Sequence, residues 1–303
     1  MEFQMIDEDY YVPSTYSSDS TIHIKIKSTS NEYKNPIILC HGRSLPCEFN
    51  WDYKFDGQSF GDLAAESGLT VIMMDALGYG KSSKYKEMES EPNSIHINTF
   101  NDFYRDIKDV LIWLKKQKQI NKPYVVGWST SPYPVMMIAQ NDSELISGVI
   151  CYGMIKSLGD GKSKVDINVG NYEYLDVNVF CDYRYKFIKD RQDLFPIEWY
   201  NNWRKTLSEL KPIRLNGSFV DSFSMYNKEK SLTDWIQLEK IETPILFLRG
   251  EYDYGSEINL TYFYDRVGSK RKELIVMKNG THFSCMETNR KHLLKIFLNF
   301  MEL

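Results

Sequence analysis

The stretch YVVGWSTSPYPVM, residues 124–136, places Ser129 two residues after Gly127, where an apolar run ends. A serine hydroxyl is a weak nucleophile near neutral pH. It attacks a carbonyl only with a base in hydrogen-bond reach and a third group orienting that base. A tight strand-to-helix turn presents such a serine, and small flanking residues let strand and helix approach. Gly127 meets that need, whereas Ser131 stands where a G-x-S-x-G turn has its second glycine and adds a mild steric cost. Alone, the pattern equally suits a serine capping the helix that follows.

The base must come from one of five histidines. His23 lies in an alternating strand pattern, His96 in a polar segment, His292 in a terminal helix, and His41 at the end of an apolar run, where it shapes a loop. His282, in the late loop NGTHF, is the candidate base. Asp253 and Glu251 compete for the third role. Asp75 opens a turn and is expected to bond backbone there. Gly78 and Gly80 form a lone G-x-G without the acidic partner and further glycine of a dinucleotide site, so turn geometry is expected.

Composition narrows the function classes. The chain has 303 residues, 42% hydrophobic and 26% charged, enough for a full core and a polar surface. A formal net charge of −4 offers nothing to a phosphate backbone, so no nucleic-acid partner is expected. The start, MEFQMIDEDYYVP, is acidic and carries no signal peptide pattern, and no apolar run is long enough for a membrane span. The five cysteines are scattered, without a C-x-x-C pair, which fits a reducing, cytoplasmic setting and no metal site. Cys40 and Cys151 fall in apolar runs and are expected to be buried and inert. Oligomeric state leaves no mark in the sequence.

The elements that must position these residues follow from periodicity. TIHIKIK alternates like a half-exposed strand. NPIILCHG, LTVIMMD, KPYVVGWS, ISGVICYG, TPILFLRG and ELIVMKNG are short continuous apolar runs, as strands covered on both faces are. Between them, residues 98–118 repeat apolar side chains at helical spacing. A helix is expected from about Ser131 to Gln140, with Pro132 and Pro134 tolerated in its first turn, and the chain closes on an amphipathic helix. The pattern predicts an α/β fold with a mostly parallel central sheet and helices on both faces. It breaks over residues 154–240, an aromatic and then polar insertion set between core segments 1–153 and 241–303.

Taken in order, these blocks resemble the α/β-hydrolase superfamily over nearly the whole chain: HG at His41-Gly42, DALGYGKSS from Asp75, GWSTS around Ser129, GEYD ending at Asp253, and NGTHF around His282. The resemblance implies the α/β-hydrolase fold with an inserted lid or cap. It also implies a Ser129, Asp253 and His282 triad in the order this fold uses, and an oxyanion hole from the backbone N–H groups of Arg43 and Thr130. No cofactor is implied, because hydroxyl, imidazole and carboxylate suffice. The expected activity is a serine hydrolase acting through an acyl-enzyme on a small-molecule acyl substrate: an ester, thioester, lactone or amide. An acyltransferase or cyclase on the same triad, or a low-turnover ligand sensor, stays open. Arg43, Trp128, Tyr183, Trp199 and Trp203 are the candidate substrate-binding side chains.

Overall fold

A computed structural model describes residues 5–89, 99–155, 173–209, 218–221, 236–253 and 259–303. His96, much of the polar segment after residue 212 and parts of the 154–240 insertion lie outside the described residues.

The acidic start forms β1 (Ile6–Pro13), a strand that no alternation of residue types announces. It is an edge strand, so most of its side chains face water and Val12 alone among them is buried. It pairs antiparallel with β2 (Thr21–Ser28), Tyr10 opposite Ile24. Here one expectation is corrected: β2 is buried on both faces, not half exposed. Its polar face is covered because charges there find partners. Lys27 reaches Asp52 and Asp62, and Lys25 donates to Asp52 at 3.0 Å. Buried His23 lies between two carboxylates, Asp9 at 2.7 Å and Asp75 at 2.9 Å.

The apolar runs form the remaining sheet strands. These are β3 (Pro36–Cys40), β4 (Thr70–Met74), β5 (Tyr124–Trp128) and β6 (Gly148–Tyr152), then β9 (Ile245–Gly250) and β10 (Lys272–Met277) after the insertion. The described residues give an eight-stranded sheet ordered β1-β2-β4-β3-β5-β6-β9-β10. From β4 to β10 every pairing is parallel. Parallel strands with apolar residues at nearly every position need helices on both sides.

The helices supply that cover. α1 (Phe60–Glu66) and α2 (Phe100–Trp113) both start on capping boxes, Ser59 with Asp62 and Thr99 with Asp102. α3 (Pro132–Asn141) opens on its two prolines, where a missing N–H costs nothing. Apolar residues of α2, α3 and α6 (Leu260–Arg266) pack on one face of the sheet. Those of α1 and α7 (Arg290–Met301) pack on the other. On that second side also sit α4 (Val177–Ile188) and α5 (Ile197–Glu209) of the insertion. Two short strands flank them, β7 (Glu173–Asp176) and β8 (Ser218–Asp221), paired antiparallel apart from the main sheet. No helix among the described residues is long and apolar enough to cross a membrane.

The His23 cluster ties the β1 edge to the turn after β4. Burial disfavours charge on His23, but hydrogen bonds and attraction from Asp75 and Asp9 outweigh it and raise its pKa. Its stabilisation is therefore complete below the ordinary imidazole value of about 6.5 and is lost as pH rises through the folded value. Asp75 is held below the usual carboxylate range, burial being offset mainly by the His23 hydrogen bond, so its share fades as pH falls instead. His23→Gln is expected to lower unfolding free energy by about 3 kcal/mol near pH 6. It should also flatten the loss of stability as pH rises above about 6.5, as read from urea midpoints.

Candidate active site

The parallel strands end at one edge of the sheet, and six loops leave from there: His41 follows β3, Asp75 follows β4, Ser129 follows β5, Gly153 follows β6, Asp253 follows β9 and His282 follows β10. Ser129 adopts a left-handed backbone, φ 65°, which a non-glycine residue seldom takes. The neighbouring strand holds it there: Ser129 N–H donates to the Tyr152 carbonyl at 2.9 Å, and its own carbonyl accepts from Ile155 N–H at 3.2 Å. A Cβ on Gly127 would come within 2.6 Å of the Ser131 carbonyl, so that position has room only for glycine. Position 131 is different. Its φ is −73°, which any residue adopts, and the Ser131 hydroxyl accepts from Trp128 N–H at 2.8 Å while donating to a backbone carbonyl. Ser131 is thus a buried brace across the elbow rather than a steric burden.

Asp253 Oδ1 lies 2.9 Å from His282 Nδ1, both side chains almost completely buried. Glu251, the competing carboxylate, instead accepts from Asn279 N–H at 2.9 Å. The two loops are locked against each other, since Tyr252 N–H donates to the Gly280 carbonyl at 2.8 Å. A Cβ on Gly250 would sit 2.4 Å from that same carbonyl. The His282 carbonyl takes two further bonds, from the Trp128 indole at 2.8 Å and the Tyr152 hydroxyl at 3.1 Å. Serine and histidine loops therefore share supports. Gly153, whose N–H donates to the Leu248 carbonyl at 2.8 Å, has His282 Nδ1 and Asp253 Oδ2 within 3.3 Å of where a Cβ would be.

On the other side, a Cβ on Gly42 would meet Ser129 Cβ at 2.7 Å. His41 fixes this loop: Nδ1 meets the Gly42 carbonyl at 2.6 Å and Nε2 accepts from Ala76 N–H at 3.0 Å. That pattern requires a neutral ring protonated on Nδ1. Holding the Gly42 carbonyl turns the N–H of Arg43, in the same planar peptide, the opposite way. Thr130, which follows Ser129, is buried. Asp75 accepts from Cys47 N–H at 2.9 Å, and Gly80, with positive φ, packs directly on its carboxylate.

The other candidate side chains separate. Trp128 braces the histidine loop. Trp203 is buried and its indole N–H donates to the Phe49 carbonyl at 3.1 Å, docking α5 on the core. Trp199 stacks on Phe55 at 5.3 Å and under the Arg290 guanidinium. Tyr183 is half exposed on α4. Arg43 is partly exposed. Gly153 and Tyr152, which no motif singles out, also pack against the histidine and its loop; ISGVICYG ending in Tyr-Gly is the signal that could have marked them. Among the described residues no group of three His, Cys, Asp or Glu is placed to hold a metal ion.

A family profile described as the alpha/beta hydrolase fold matches residues 35–288. No curated protein matches the chain. Among solved structures, a bromoperoxidase from Bacillus anthracis is 19% identical with a TM-score of 0.69, covering 98% of this chain and 100% of that one. A thioesterase domain from the curacin biosynthetic pathway is 14% identical with a TM-score of 0.65, covering 96% and 99%. Est816, an N-acyl homoserine lactone degrading enzyme, is 16% identical with a TM-score of 0.63, covering 96% and 100%. At these identities the likeness is one of fold.

The elbow geometry makes a specific prediction. Ser131→Gly, which restores the commoner motif, should destabilise the protein by about 1–3 kcal/mol by leaving Trp128 N–H without its acceptor. Urea denaturation reads this directly; an unchanged or raised midpoint would mean that the hydroxyl does not brace the turn.

Proposed function

The chain belongs to the α/β-hydrolase family, and from that premise we propose that it is a serine hydrolase cleaving a carboxylic ester or related acyl compound through an acyl-enzyme. The observation that carries this reading is the buried His282–Asp253 hydrogen bond, joined through Tyr152 and Gly153 to a serine held in a left-handed turn. Asp253 occupies Nδ1, so Nε2 is the nitrogen that takes the Ser129 proton as Oγ attacks the carbonyl carbon. The imidazolium formed is stabilised by the carboxylate and then protonates the leaving group as its bond to the acyl carbon breaks. Water, deprotonated by the same ring, adds to the acyl-enzyme and releases the acid.

The negative oxygen of each tetrahedral intermediate would lie against the N–H groups of Arg43 and Thr130. The Gly42 contact with Ser129 supports this, as does the turned Gly42–Arg43 peptide. Such donors act before charge develops and are worth about 3–4 kcal/mol each. Residues 154–240 would form the lid that selects the acyl group. Trp199, Trp203 and Phe195 then serve to dock it, since Phe195 meets Phe55 of the core edge-on and Trp199 packs at a tilt on the same ring. The names of two neighbours, a thioesterase and a lactone-degrading enzyme, fit acyl transfer to water as the shared chemistry.

A fluorophosphonate probe is expected to label the wild-type protein, and Ser129→Ala to abolish labelling. Asp253→Asn should slow labelling about 10³–10⁴-fold by leaving the ring in the wrong tautomer. Labelling that persists in Ser129→Ala would assign the reactive serine elsewhere.

A further inference from the structure

Behind the candidate base lies a carboxylic acid that the mechanism above does not use. Glu287 is fully buried in the turn that leads from the His282 loop into α7. Its Oε1 accepts from the Thr281 hydroxyl, while Oε2 has no hydrogen-bond partner among the described residues. A threonine hydroxyl has a single proton. Because Thr281 spends it on Glu287, its lone pair is aimed elsewhere, and it accepts from Phe283 N–H at 3.0 Å. Thr281 and Phe283 are the two neighbours of His282 in the chain. A second bond, from Thr281 N–H to Ser284 Oγ at 3.1 Å, closes the same turn.

The groups facing Glu287 are Tyr152 from β6, Cys285 on its own loop, Arg191 from the α4–α5 connection, and Arg290 of α7, which bonds the Glu287 backbone carbonyl at 3.1 Å. Burial raises the Glu287 carboxyl to about 7 against the opposing pull of Thr281, Ser284 and Arg191. A buried acid with one unpartnered oxygen is an expensive way to fill space, and an apolar side chain of equal volume would fill it with less penalty.

Building on the serine-hydrolase reading, we propose that Glu287 is a positioning residue for His282, acting through the Thr281 hydroxyl. The carboxyl dictates which way the Thr281 proton points. That direction frees the lone pair for Phe283 N–H, and the pair of bonds fixes the backbone on both sides of the imidazole. Asp253 sets the ring's rotation from its edge; Glu287 sets the loop that carries the ring. An acceptor is required at Oε1, and a charge is not.

The test separates positioning from packing. Glu287→Met keeps the volume and removes the acceptor, Glu287→Gln keeps the acceptor without the titration, and Thr281→Val and Thr281→Ser remove and restore the hydroxyl. For each, the second-order rate of fluorophosphonate labelling is measured on folded protein, alongside the thermal midpoint. Glu287→Met and Thr281→Val are expected to slow labelling at least 10-fold, with Glu287→Met no less stable than wild type. Glu287→Gln and Thr281→Ser are expected to recover to within about 3-fold. Wild-type labelling in folded Glu287→Met or Thr281→Val overturns the proposal, as does a loss that tracks only the thermal midpoint. If Glu287→Met fails to fold, the threonine pair decides alone. Failure of the underlying reading looks different: wild-type protein that does not label at all, or Ser129→Ala that still does.

Discussion

Ser129 sits where an L-residue is unwelcome. A left-handed backbone costs a side chain with a Cβ about 1–3 kcal/mol, and it persists only where the surroundings leave no alternative. Here the surroundings are the sheet itself. The end of β6 accepts from Ser129 and Ile155 just beyond it donates to Ser129, and Gly127 lets α3 descend onto β5 with no room for a methyl group. Gly42 presses against the serine from the β3 loop. Remove the parallel register of β3, β5 and β6, and nothing holds the turn. The strain is a property of the whole sheet, expressed at one residue.

The same economy governs the loops around it. Each is fixed by hydrogen bonds to buried side chains or to a neighbouring loop rather than by its own regular structure. The Asp253 loop is pinned to the His282 loop through Glu251 and Tyr252. The His282 carbonyl is held by Trp128 and Tyr152, and the Gly42 carbonyl by His41. Even the polar edge takes part, because Asp75 joins His23 of β2 to Cys47 N–H beyond the Gly42 loop. Buried polar groups that are fully bonded define one arrangement among many compact ones. A site built in this way is rigid before any substrate arrives, which is what electrostatic stabilisation of a developing oxyanion requires.

How much of this the amino-acid sequence discloses depends on burial. The central strands are legible because parallel strands covered on both faces leave unbroken apolar runs, such as NPIILC and LTVIMM. β1 is not, since an edge strand needs only one inward side chain, Val12, and the rest may be acidic. β2 misleads for a related reason: Lys27 and His23 look like solvent-facing residues until Asp9 of β1, Asp62 of α1 and the loop residues Asp52 and Asp75 cover them. At seven residues, α1 is too short to show a period. The loops carrying Ser129, Asp253 and His282 stand out by residue type and order. Whether Glu251 or Asp253 meets the histidine, and that the Ser131 hydroxyl takes the Trp128 N–H and the Glu287 carboxyl the Thr281 hydroxyl, are facts of distance that no spacing contains.

The proposed convergence of Ser129, His282 and Asp253 on one carbonyl is tested most directly by rapid mixing with p-nitrophenyl acetate, followed by acid quench and peptide mass mapping. A burst of p-nitrophenol stoichiometric with enzyme is predicted, with the acetyl group on the peptide bearing Ser129 and the burst lost in His282→Gln. Turnover of the ester with no burst and no acetyl group at Ser129, or an undiminished burst in His282→Gln, would contradict it.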